Sequence, residues 1–238
     1  MTQMCGVACG FAFEFGFPHF VTQFQKMAEA NVDTIPKTAQ TPASYWPCSA
    51  DVMPRRSKGV PVNVAHESAS DIAEHCRTWL ESVHAPKLIF GNMVGRWENG
   101  VDGKGWDYKS SSTQPYPNPD VYVIGPPCTP FSWLHLDTQL YEEEAAGPLL
   151  EAVRTIKVRR PRISVIENVM GLLRERAKQD LDALIDGLKK HDFHVITFAG
   201  LSPDLFGIPL TRRRVYFVII DTRQVNTNFE RVIYKILT

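Results

Sequence analysis

The chain has 238 residues, with 26 Lys+Arg against 26 Asp+Glu and no net formal charge. At 44% hydrophobic and 22% charged it has the balance of a globular protein, which excludes a disordered, collagen-like or disulfide-dense chain. No apolar run nears the roughly 18 residues of a membrane span, and zero net charge excludes a uniformly basic surface while leaving room for a local basic groove.

Residues 1–59 form a segment of weak pattern. Phe11, Phe13, Phe15 and Phe17 alternate at the strand period, and Gln25 to Asn31 reads as a short helix. Thr38 to Ser57 carries Pro42, Pro47 and Pro54 and predicts a loop-rich connection. Cys5 and Cys9 have no second Cys/His pair at zinc spacing, so they read as ordinary thiols and no metal is expected. The five cysteines are odd in number and no secretion-type leader precedes them. That pattern predicts reduced thiols in an intracellular protein, nuclear if the host is eukaryotic.

Residues 60–238 are regular enough to form one domain. Strands are predicted at Val60 to His66, Lys87 to Asn92, Asp120 to Gly125, Arg162 to Glu167, His194 to Phe198 and Val215 to Ile220. Helices are predicted at Ser68 to Ser82, capped by Ser68 or Ser70, at Glu142 to Val158, and at Gln179 to His191. Residues 94–119 predict a long irregular segment. Lys157 to Arg162 is basic and predicts a solvated turn at the amino end of its strand. Short apolar strands alternating with helices imply a mostly parallel α/β sheet buried on both faces. Ligands in such sheets bind at the carboxyl ends of the strands, so the residues that follow each strand are the candidates.

Three of those stretches stand out. Pro126-Pro127-Cys128-Thr129-Pro130-Phe131-Ser132 follows a strand, and its prolines fix the backbone that presents the thiol of Cys128. Glu167-Asn168-Val169 ends the next strand and offers a carboxylate among apolar neighbours. Burial there would raise its pKa and suit it to proton exchange with a neutral base. Gly207-Ile208-Pro209-Leu210-Thr211-Arg212-Arg213-Arg214 enters the last strand, and strand alternation puts Arg212 and Arg214 on one face with Arg213 on the other.

Taken in order, these stretches resemble the cytosine-5 DNA methyltransferase family. Cys128 lies 39 residues before Glu167, which lies 45 before Arg212, and Asp120, Val169, Gly171 and Leu172 fit the same pattern. The resemblance implies a Rossmann-like methyltransferase sheet, here incomplete at both ends. It implies Cys128 as the nucleophile toward C6 of cytosine, Glu167 on N3 and the exocyclic amine, and Arg212 and Arg214 beside them. Pro126, Ser132, Asn168 and Val169 would lie against the substrate, with Asn168 anchoring the active-site loop. S-adenosylmethionine would donate the methyl group, held by Glu67 at the ribose, Asn92 at the adenine and Pro127 near the donor. DNA, with its cytosine flipped out of the duplex, would be the partner.

Three departures from the family pattern accompany the match. The glycine-rich opening motif is absent, with Gly6 to Gly10 and Cys48-Ser49-Ala50 as poor substitutes. Leu210 replaces a glutamine. Only 18 residues follow Ile220, too few for the family's target-recognition domain, which a second chain could supply. A tRNA cytosine-5 methyltransferase is the first alternative, disfavoured because no Cys-Phe-Thr follows Glu167. A catalytically silent binding fragment is the second, disfavoured by the intact Cys128, Glu167 and Arg212.

Overall fold

A computed structural model describes residues 41–44, 64–97, 103–127, 147–206 and 209–225. Nine strands form one sheet: β1 (Thr41–Ser44), β2 (Val64–Ser70), β3 (Leu88–Phe90), β4 (Lys104–Asp107), β5 (Ser112–Pro115), β6 (Val121–Ile124), β7 (Ile163–Val169), β8 (Phe193–Leu201) and β9 (Arg214–Asp221). The helices are α1 (Glu74–His84), α2 (Gly147–Arg159) and α3 (Glu175–Lys189). The sheet order is β5-β4-β3-β2-β1-β6-β7-β9-β8.

The α/β class holds, but the sheet is mixed rather than mostly parallel. The central run β3-β2-β1-β6-β7 is parallel, and both flanks are antiparallel. A parallel centre needs crossover helices, whereas β8 and β9 form an antiparallel pair that needs none. Sequence periodicity reports which residues are buried but not strand direction, so this distinction was not legible in the pattern.

Other boundaries moved for local reasons. Thr41–Ser44, expected in a loop, forms the strand that joins β2 to β6. β2 runs four residues past His66 because Ser68, Ala69 and Ser70 pair with Leu88, Ile89 and Phe90. Ser68 and Ser70 therefore do not cap a helix, and α1 starts at Glu74. The turn before it is closed by Asp71, whose carboxylate accepts the Ala73 N–H at 2.8 Å.

Residues 94–119 are not irregular throughout, because β4 and β5 form a hairpin within them. Asp107 organises it. Its buried carboxylate accepts the Ile89 and Ser110 N–H groups at 2.7 and 2.9 Å and the Ser110 hydroxyl at 2.6 Å. Burial opposes the charge, yet these bonds outweigh it and hold the carboxyl below the usual range. Asp107→Ala should therefore cost about 1.5–3 kcal/mol of stability at neutral pH, measured by urea denaturation. The sign follows from linkage: the Asp107 contribution is present above the unfolded carboxylate value and lost as pH falls through the folded one.

One face of the sheet packs on α2 and α3 through Tyr122, Ile124, Ile156, Leu181, Leu188 and Phe217. The other gathers Val123, Val165, Ile196, Tyr216, Val218 and Ile220. His66, on β2, is held down at about 4, first by burial and then by the neighbouring His84. Between about 6.5 and about 4 the unfolded chain takes up a proton that the folded chain refuses. Stability should fall as pH drops through that window, by at most roughly 3–4 kcal/mol, and His66→Gln should flatten this limb in thermal melts taken at successive pH values.

Candidate active site

The parallel register of β6 and β7 builds the site. Val121 to Ile124 lie beside Ile163 to Ile166, so both strands reach the same edge together. Beyond Ile124 come half-buried Gly125, buried Pro126 and exposed Pro127. Cys128 and Ser132 lie outside the described residues, as do Cys5, Cys9, Phe11 to Phe17, Gln25 to Asn31, Cys48 and the Gly6 to Gly10 stretch.

β7 runs on through Asn168 to Val169, two residues past the strand end predicted at Glu167. The ladder to β9 extends to Val169↔Arg214, and Glu167 pairs with Tyr216. Glu167 is 5% exposed. Its Oε1 stands 3.0 Å from Arg214 Nε, an ion-pair distance without hydrogen-bond alignment. Burial pushes the carboxyl up, and the guanidiniums of Arg214 and Arg212 oppose that without cancelling it. Glu167 thus favours its protonated form more than a solvated carboxylate does.

The arginine run behaves as alternation predicts. Arg212 and Arg214 are partly buried and both act on Glu167, whereas Arg213 is exposed. Asn168 is 1% exposed and turns its own Oδ1 to the Val169 N–H at 2.8 Å. Its Nδ2 has no hydrogen-bond partner among the described residues. Val169 is partly buried at the end of the strand.

The three residues assigned to a cofactor do not stay together. Asn92 is exposed just past β3, with Oδ1 accepting the Val94 N–H at 3.0 Å. Pro127 stands past β6 at the same carboxyl edge. Glu67 does not reach that edge. It lies inside β2, level with the residue before β3, and pairs with Lys87 Nζ at 2.5 Å. The extension of β2 is the reason, because it moves the strand end from His66 to Ser70.

Two residues that the motif reading passed over belong to this edge. Tyr216 is the cross-strand neighbour of Glu167, and Ser202 accepts the backbone N–H of Arg212. Strand alternation after Arg214 could have pointed to Tyr216. No sequence signal marks Ser202.

The family model for C-5 cytosine-specific DNA methylases matches residues 95–236, more than half of the chain. The chain belongs to the C-5 cytosine-specific DNA methylase family. As a member, it is 35% identical over 105 residues to the type II methyltransferase M.SacI of Streptomyces achromogenes, covering 42% of this chain and 26% of that protein. It is 31% identical over 111 residues to M1.ScrFI of Lactococcus lactis subsp. cremoris, covering 46% and 28%. The chain thus spans little more than a quarter of those two relatives. A crystal structure of a candidate DNA modification methyltransferase encoded within an E. coli prophage superposes with a TM-score of 0.50 at 16% identity, over 67% of this chain and 41% of that one. That likeness is one of fold.

Proposed function

We propose that this chain carries out cytosine C5 methylation in DNA, with S-adenosylmethionine as methyl donor. The observation that carries the reading is the buried, proton-favouring Glu167, flanked by Arg212 and Arg214, one strand away from the Pro126-Pro127 exit. In the sequence Cys128 directly follows Pro127, which ends the described stretch after β6.

In this reading the Cys128 thiolate adds to C6 of a flipped-out cytosine while Glu167 holds N3 and the amine. A proton on Glu167 stabilises the electron density that addition pushes onto N3. Arg212 and Arg214 keep that carboxyl oriented and contact the base. Asn168 Nδ2, without a partner among the described residues, is a ready donor for the segment carrying Cys128 and Ser132. After C5 is methylated, loss of the C5 proton expels the thiolate.

S-adenosylmethionine would supply the electrophilic methyl group when bound. Asn92 and Pro127 suit it, as an exposed amide acceptor and an exposed apolar ring at one carboxyl edge. The family's close glycine approach has no counterpart among the described residues. Weak binding to the isolated chain is therefore expected, since each lost contact on the order of 1 kcal/mol costs several-fold in affinity. Calorimetry giving micromolar binding would contradict this.

Covalent capture tests the reading. Joined to a target-recognition domain, the chain should form a denaturation-resistant adduct with 5-fluorocytosine DNA, because fluorine does not leave as a proton does. Cys128→Ser should form none. An equal adduct yield from the variant would reject Cys128 as the nucleophile.

A further inference from the structure

We propose that Ser202 is a positioning residue that holds Arg212 in place beside Glu167. The inference rests on the methylation reading of that site and adds to it a residue outside the three motifs. Ser202 is 4% exposed and directly follows β8. Its hydroxyl accepts the N–H of Arg212, ten positions along the chain, at 2.8 Å.

The surrounding backbone is shaped for that contact. The β8–β9 register slips between Ala199 and Leu201, and Gly200 adopts φ +78°, a region that favours glycine. The slip lets Leu201 pair with Arg214, one residue before Ser202. A 3-10 turn at Pro203–Phe206 then leaves the strand, with the Leu205 N–H bonded to the Ser202 carbonyl at 3.1 Å. Ser202 thus bonds Leu205 through its carbonyl and Arg212 through its hydroxyl. A hydroxyl that only filled a gap would not need to sit on the backbone of an arginine acting on Glu167.

Among the described residues, the charged and titratable groups near Glu167 are Arg214 and Tyr216 from β9 and Arg212 from the connection. β6 and β8, among the described residues, bring apolar side chains nearest to Glu167, such as Val123, Phe198 and Leu201, while His194 lies on the same face farther along β8, opposite Ile220. Arg212 lowers the proton affinity of Glu167, so losing its placement should raise it.

The test is a carbon-13 NMR titration of glutamate carboxyls in the chain itself, with Glu167 assigned by its disappearance in Glu167→Gln. In Ser202→Ala the Glu167 midpoint should move to higher pH, as it should in Arg212→Gln. The double variant should move no further than Arg212→Gln alone, and Ser202→Thr should titrate like the parent. A Ser202→Ala midpoint equal to the parent's would overturn the proposal, as would additive shifts in the double variant. A Ser202→Ala chain that fails to fold while Ser202→Thr folds would make the hydroxyl a folding element and overturn it as well. The titration uses neither DNA nor methyl donor, so its failure leaves the methylation reading standing. Absent methyl transfer with a normal titration would do the reverse.

Discussion

Glu167→Gln should lower methyl transfer by roughly 10²-fold or more, the usual scale for removing a positioned acid–base group. The amide keeps the volume of the side chain and its acceptor oxygen but lacks the proton exchange with N3 of the base that the proposed reaction asks of Glu167. Stability should move little, and in a defined direction. The folded carboxyl is held above its ordinary value, so the fold favours the neutral form. Whatever stability that preference gives is fully present below the unfolded value and lost as pH rises through the folded one. A neutral glutamine escapes that loss, so the variant should melt no earlier than the parent at neutral pH. Arg214 would lose its ionic partner, but it is 17% exposed and can draw on water. Turnover per folded molecule and thermal melts, measured on the same preparations, check both halves. Unchanged turnover with an earlier melt would make Glu167 a structural residue.

Arg160→Met should cost about 3–5 kcal/mol of stability, the range for stranding a buried charge. Arg160 Nε and Nη2 meet the two oxygens of Asp221 at 2.9 and 2.7 Å. Asp221 is fully buried, while the Arg160 side chain is 19% exposed. Arg160 also donates to the His191 carbonyl at 2.9 Å and lies over the Phe193 ring at 4.4 Å. It thereby joins the end of α2 to the start of β8 and the end of β9. Methionine keeps much of the stem and its packing but leaves the carboxylate, among the described residues, with the Gln224 amide, the Arg223 backbone N–H and a 3.7 Å approach from Arg223. Arg160→Met with Asp221→Asn should recover a large part of the loss, because no charge is then stranded. Chemical denaturation of the two single variants and the double variant measures the coupling. Additive losses would show that packing, not charge, sets the cost. The basic run at Lys157 to Arg162 is thus partly a structural joint, with Arg162 also paired to Asp120, rather than a solvated turn.

Much of the site could be read in the order of residues. Pro126-Pro127-Cys128, Glu167-Asn168-Val169 and Arg212 to Arg214 each follow or enter an apolar strand, and strand alternation alone separated exposed Arg213 from its neighbours. Composition and periodicity also determined the α/β class, because the 2.0 and 3.6 periods follow from backbone geometry and leave their mark in the chain. Strand direction leaves no such mark, which is why the antiparallel flanks emerged only from pairing between distant segments. The reach of β2 and β7 was decided the same way. Ser68 to Ser70 and Glu167 to Val169 remain extended because β3 and β9 offer hydrogen-bonding partners there, and no local preference requires it. That tertiary choice took Glu67 from the carboxyl edge and gave it to Lys87. It also placed Tyr216 across from Glu167 and brought Ser202 to Arg212. The sequence by itself named the chemical groups. Only the packed sheet decided which of them face one another, since the charge on a buried carboxyl depends on neighbours that lie dozens of residues away along the chain.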